Sequence, residues 1–229
     1  MIDAISNQDL MHMGQALTDM PLVTAGSGVA IGLPQNWKTR GALATNAKAD
    51  TLPAATGYQA VVSGSCSVAT NAQVLCWRQS GKPAFAIDPL AVASGTDVVT
   101  QALQWATPLL SQGPVLIYAT AEPEAVKAIQ HKLGVAQAGE LVEHTLSSIA
   151  KSLVQAGVRQ LVVAGGETSG AVVQALEVER MVIGPQIDPG VPWTSVTSSV
   201  CNGDTVHVTL KSGNFGTNDF FEKSFALLK

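Results

Sequence analysis

A chain of 229 residues can bury a substantial core, as one large domain or two small ones, but only 13% of it is charged, against about 25% in an ordinary soluble domain, so part of its surface is expected to be covered by another subunit or domain. The net charge is −4 and no Lys/Arg cluster occurs, which argues against nucleic acid or an anionic membrane as a partner. Three cysteines (Cys66, Cys76, Cys201) form no C-x-x-C pair, and neither a membrane-length apolar run nor a leader-like start is present, so the expectation is a soluble cytoplasmic protein without disulfides or a structural zinc.

In chain order, Leu10, Met13 and Leu17 have helical spacing, and residues 21–24 read as a short strand leading into Ala25-Gly26-Ser27-Gly28. That turn fits neither G-x-G-x-x-G nor the P-loop pattern. Residues 36–58 shift to Ala, Thr, Lys and Gly with Pro53 and read as a linker. Strand, turn and helix then alternate. Residues 60–63 form a buried strand, 64–67 a turn, and a helix capped by Ser67 follows. Strands at 84–87 and 114–118 are separated by a helix with Val99, Ala102, Leu103, Ala106 and Leu110 inward. A short helix from Pro123, with Val126, Ile129 and Leu133 on one face, and a longer one from Glu140 lead into LVVAGGETSG at 161–170. This is a strand, a glycine turn and a helix expected to begin at Ala171, which Thr168 or Ser169 can cap. Beyond it, 181–183, 193–196 and 205–210 read as short strands without intervening helices. In the last of them Val206, Val208 and Leu210 alternate with Thr205, His207 and Thr209, which predicts one buried and one open face, with Lys211 a solvated charge. The fold class expected is α/β: a mostly parallel sheet with helices on both faces and a more antiparallel C-terminal strand region.

Three Ser/Gly-rich turns follow strands: SGSCS at 63–67, GGETSG at 165–170 and KSGNFG at 211–216. In an open parallel sheet ligands gather at the carboxyl ends of the strands, and a glycine turn opening a helix suits a phosphate. It also serves simply to leave a strand. Glu167 is the awkward member, because a carboxylate beside a phosphate is repelled unless Mg²⁺ lies between them or the side chain turns away. The four histidines lack metal spacing and read as surface or satisfied residues, and Cys66 reads as a buried, inert thiol. No G-x-S-x-G elbow occurs. Asp188 and Asp219 are the carboxylates nearest a candidate site, and an Asp before Pro can equally just start a turn.

VVSGSCSVATNAQV (61–74), VVAGGETSGAVVQAL (162–176), IDPGVPW (187–193) and LKSGNFGTNDFF (210–221) resemble the C-terminal nucleotide-binding domain of the four-carbon acid sugar kinases. GQALTDMPLVTAGSGVAIGLP (14–34) is similar to the segment joining that family's substrate domain to it. The resemblance implies an ATP- and Mg²⁺-dependent kinase that phosphorylates a terminal hydroxyl of 3-oxo-tetronate, D-threonate or D-erythronate, with SGSCS and ATNAQV closest to the first. It implies that Ser63 contacts ATP, that Gly165, Gly166, Glu167 and Thr168 cradle it, and that Gly213 closes the nucleotide site. It also implies a division into the tail of a substrate domain or joining segment (1–35), a linker or variable loop (36–58) and a nucleotide-binding domain (59–229). The sugar-acid site would then lie on a missing N-terminal domain, and the chain would be about half of a full protein, able to form a homo-oligomer. No catalytic base can be picked out, and a stand-alone nucleotide-binding module or split subunit is the alternative.

Overall fold

The computed structural model describes residues 2–44, 48–121, 126–128, 131–132, 134–201 and 203–228. Contacts divide the chain into two units between residues 49 and 50. In the first unit, helix α1 (Asn7–Ala16) begins with a capping box in which Ser6 and Asp9 satisfy each other's backbone N–H. A 3-10 helix (Ser27–Gly32) and α2 (Pro34–Thr39) follow, the latter with Pro at its start. The strand expected at 21–24 does not form: those residues are irregular, and Leu22 is 82% exposed. An isolated extended segment has no ladder partner, and all described strands belong to one sheet in the second unit.

That sheet has seven strands: β1 (Tyr58–Ser63), β2 (Ala84–Ala86), β3 (Val115–Tyr118), β4 (Val158–Ala164), β5 (Val178–Asp188), β6 (Val191–Ser198) and β7 (Val206–Lys211), in the order β2-β3-β1-β4-β7-β6-β5. Pairings from β2 through β7 are parallel, whereas β7–β6 and β6–β5 are antiparallel. The α/β expectation with an antiparallel C-terminal region holds. The two short strands expected at 181–183 and 193–196 are the middles of a longer hairpin, β5–β6, which turns at Gly190 with φ of 79°.

Both faces are covered. Helices α3 (Val68–Gln79), α4 (Pro89–Ala93), α5 (Val98–Ala106), α6 (Val135–Gln155), α7 (Gly166–Ala175) and α8 (Phe220–Ala226) flank the sheet in the second unit. On one face Val62, Leu161, Val163 and Val208 pack with Ala102, Leu146, Ile149 and Val172 from α5, α6 and α7. On the other, Val61, Val162, Ala164 and Trp193 pack with Trp77 of α3 and Phe220, Phe221 and Phe225 of α8. The sequence places α6 from Glu140; it starts earlier, at Val135, and the short helix expected from Pro123 lies largely outside the described residues.

Covering the second face also overturns the reading of β7. Its expected open side is buried: His207, Thr209 and Lys211 are all at 0% exposure. The aromatic cluster lies on this face, and β7 sits between β4 and β6 rather than at an edge. Alternation reports which residues share a face, and whether that face meets water depends on elements elsewhere in the chain.

Candidate functional site

The sheet runs outward in opposite directions from β1 and β4. After β1 the chain visits β2 and β3 on one side, then crosses to β4 and later β7 on the other. Such a switch in strand order leaves a crevice at the carboxyl ends of the two central strands. The register brings those ends level, because Tyr118, Ser63, Ala164 and Lys211 are successive cross-strand neighbours. The turns that follow therefore emerge side by side, and the ladder continues into them. Gly64 N–H donates to the Ala164 carbonyl at 3.0 Å, Gly165 N–H to the Lys211 carbonyl at 2.8 Å, and Ala119 N–H to the Ser63 carbonyl at 2.8 Å.

Glycine is required where the turns touch. A Cβ on Gly64 would lie 2.3 Å from Thr168 Oγ1, and one on Gly213 would lie 2.6 Å from Ser65 Oγ. Gly165 has φ of 131°, and its Cβ would sit 2.8 Å from Thr168 Oγ1. The three turns thus form one assembly beside a cleft of about 460 Å³, a size suited to a small-molecule ligand. Its polar side is made by Gly64, Ser65 and Gly165 to Thr168, and its apolar side includes Pro89, Ala119, Ala138 and Val142.

The α7 N-terminus forms part of this wall. The helix begins at Gly166, five residues before the expected start, so Thr168 and Ser169 lie in its first turn rather than capping it. Its N-cap is Gly165, which supplies no side-chain cap. The first-turn N–H groups and the positive end of the helix dipole are therefore left for an anion at the cleft.

This domain type is recognised across most of the chain: the family model for a nucleotide-binding C-terminal domain matches residues 60–221. The chain belongs to this family. Over 226 residues it is 54% identical to a 3-oxo-tetronate kinase of Burkholderia multivorans and 53% identical to one of Pseudomonas fluorescens, covering 99% of this chain and 51% of each relative. The chain spans about half the length of the curated relatives it matches. The crystal structure of a Haemophilus influenzae protein superposes with a TM-score of 0.77 at 38% identity, over 99% of this chain and 53% of that one.

Within this nucleotide-binding domain the six candidate residues occupy different depths. Gly165, Gly166, Glu167 and Thr168 line the cleft. Ser63 ends β1 at 0% exposure, with its hydroxyl 2.7 Å from Thr120 Oγ1. Gly213 lies behind Ser65, and its carbonyl accepts from Ser67 Oγ at 2.6 Å, Thr70 Oγ1 at 2.9 Å and Lys211 Nζ at 2.9 Å. Ser67 caps α3 as expected, accepting from Thr70 N–H at 3.2 Å, and also ties that helix to the third turn. One α3 turn further, Gln73 Nε2 reaches the Phe215 carbonyl at 3.0 Å, so residues at helical spacing grip the whole loop.

Two charged residues at or behind the cleft escape sequence reasoning. Glu143 of α6 faces the same cleft as Glu167; burial, and then the neighbouring Glu167 carboxylate, push its pKa above the usual range. Lys211 is not solvated. It is fully buried, bonded to Thr70 Oγ1 and to the carbonyls of Ser212 and Gly213, and burial pulls its pKa down to about 8. His207 also departs from the expectation: it is fully buried rather than surface-exposed, and among the described residues neither ring nitrogen has a well-aligned hydrogen-bond partner, although the Pro53 backbone lies close enough to act on the ring. Burial lowers its pKa against a smaller opposing effect from the Pro53 backbone. Cys66 is half-buried at the cleft rather than inside the core. Asp188 serves the scaffold. Burial alone would raise its pKa, but bonds from Lys223 Nζ at 2.5 Å and Thr217 N–H at 3.0 Å outweigh it, and they anchor the loop that carries Gly213.

Proposed function

We propose that this chain is the ATP-binding half of a kinase that phosphorylates a terminal hydroxyl of a four-carbon sugar acid, with 3-oxo-tetronate the favoured acceptor and D-threonate or D-erythronate the others. One observation carries the reading: three glycine turns, held in contact at the in-register ends of β1, β4 and β7, surround a cleft that ends on an uncapped helix N-terminus. The similarity to 3-oxo-tetronate kinases supports the choice of acceptor.

On this reading the backbone N–H groups of Gly166, Glu167 and Thr168 bind phosphate oxygens, and the apolar side of the cleft takes the base. Gly213 closes the site behind Ser65. Ser63 stands beneath them, its hydroxyl on Thr120, and bears on the nucleotide through the first turn. Phosphoryl transfer draws its rate mainly from positioning and charge stabilisation, which these fixed turns provide.

Glu143 and Glu167 fit Mg²⁺, a hard cation commonly held by one or two carboxylates together with substrate phosphates. Burial of Glu143 and the neighbouring Glu167 carboxylate disfavour the charged form of Glu143, and a cation would offset both. Among the described residues no group of three or more His, Cys, Asp or Glu could hold a metal alone. When bound, Mg²⁺ supplies neutralisation of phosphate charge.

The acceptor site would be completed by a partner domain. This chain alone is expected to bind Mg·ATP weakly and to leave the sugar acids unphosphorylated, while the chain joined to a substrate domain phosphorylates at least one of the three. Turnover by the 229-residue chain alone would overturn that division of labour, and the absence of a thermal shift at millimolar Mg·ATP would overturn the nucleotide reading itself. Binding that never yields turnover, even with a substrate domain supplied, would favour the alternative of a non-catalytic nucleotide module.

A further inference from the structure

Lys211 is a buried cation to which no carboxylate among the described residues is bonded. Its ammonium group has three protons and three acceptors: Thr70 Oγ1 at 2.9 Å, the Ser212 carbonyl at 3.2 Å and the Gly213 carbonyl at 2.9 Å. A charge taken out of water without an opposite charge beside it is costly, and an alkyl residue would fill the space without that cost. The lysine therefore calls for an account in terms of what its charge holds in place.

The two carbonyls give that account. In a trans peptide the C=O and the following N–H point in opposite directions. Turning the Ser212 and Gly213 carbonyls inward onto one ammonium group turns the N–H groups of Gly213 and Asn214 outward. Successive N–H groups directed to one side form a concavity that receives anions. Gly213 abuts Ser65, which lines the cleft, so this concavity adjoins the phosphate-binding wall assigned to α7.

We propose that Lys211 is a positioning residue for the nucleotide's phosphates, its protonated amine holding the third turn with the Gly213 and Asn214 N–H groups outward and supplying a positive field behind them. This rests on the nucleotide reading of the cleft. Because the ammonium group's bonds are all internal, Lys211 acts through the turn and not by contact with the ligand. An anion bound in front of it favours the protonated form, so binding near pH 8.5 draws in a proton. Burial alone accounts for the low pKa of about 8 in the free protein, with no charged neighbour contributing. The titratable groups on the surrounding elements are His207 on the same face of β7, Cys66 in the first turn, Glu143 and Glu167 across Gly165, and the Asp188–Lys223 pair with Asp219 at the far end of the loop.

The test is calorimetric titration of the chain with Mg-free ADP from pH 7.5 to 9.5, where the phosphates, with a second pKa of about 6, are already ionised. Buffers of differing ionisation heat count protons taken up, and C66A serves as a background free of the nearby thiol. The expected result is an affinity that falls by up to about tenfold per pH unit above pH 8, with proton uptake, in wild type and C66A alike. K211M is expected to bind about tenfold more weakly at pH 7.5 and to lose the pH dependence. Binding that is flat with pH and takes up no proton, or a dependence that survives in K211M, overturns the role of Lys211 and leaves the nucleotide reading standing. If neither ADP nor Mg·ADP binds at any pH, both fail. Should K211M not fold, the wild-type and C66A profiles decide.

Discussion

Lys211→Met gives the account its sharpest stability prediction. The fall of the lysine pKa from 10.5 to about 8 corresponds to about 3 kcal/mol by which the folded protein disfavours the charged amine at neutral pH. Met matches the length of the side chain and carries no charge, so substitution removes that penalty. It also removes the bonds made by Nζ, at a cost of about 1–2 kcal/mol, although the Ser212 carbonyl keeps the Phe215 N–H and the Gly213 carbonyl keeps Ser67 and Thr70. The variant should therefore be more stable than wild type at pH 7 by about 1–2 kcal/mol, a rise in Tm of about 2–6 °C for a unit of this size. The sign with pH follows from proton binding. Between pH 8 and 10.5 the unfolded lysine holds its proton more tightly than the folded one, so wild-type stability gains from this group as pH rises through that window. The variant lacks the gain, and its advantage should shrink towards pH 10.5. Denaturant unfolding of both proteins at several pH values measures this difference with the other titrating groups common to both. A variant less stable than wild type at pH 7, with a gap that does not change with pH, would refute the reasoning.

Gly165→Ala must place a side chain at φ of 131° and a Cβ 2.8 Å from Thr168 Oγ1, so thermal unfolding should show a loss of about 2–4 kcal/mol. His207→Leu should be neutral or mildly stabilising at pH 7, because it removes two buried ring nitrogens that have no well-aligned hydrogen bond among the described residues. Since the folded pKa of His207 lies below 6.5, wild-type stability falls as pH drops through 6.5 towards that lower value, and urea titrations should show a weaker fall in the variant. Glu167→Ala should weaken binding of Mg·ATP and leave or improve binding of Mg-free ATP in parallel calorimetric titrations. Equal losses for both ligands would return the carboxylate to a structural role.

The alternation of strand and helix, and the three glycine turns, were legible because each depends on local pattern: apolar runs for buried strands, Ser67 for a cap, Gly165 for a backbone of positive φ. The depth of the residues around those turns was not. Lys211 and His207 look like the open side of a strand until α8 brings Phe220 and Phe221 over that face from the chain's last residues. Glu143 is one acidic residue on a long amphipathic helix, a pattern that ordinarily means solvent, and only the placement of α6 beside the cleft sets it opposite Glu167. Helix α7 starts at Gly166 because the sheet and the Lys211 carbonyl fix the preceding turn. Propensity, which disfavours glycine in a helix, pointed five residues later.

The central claim is that a nucleotide's phosphates lie against the joined turns after β1, β4 and β7. Amide chemical shifts recorded during a titration with Mg·ADP test it most directly. The account predicts the largest changes at Ser65, at Gly166 to Thr168, and at Gly213 and Asn214, saturating together with one affinity. Saturable shifts confined to other parts of the chain, or none at millimolar nucleotide, would contradict it.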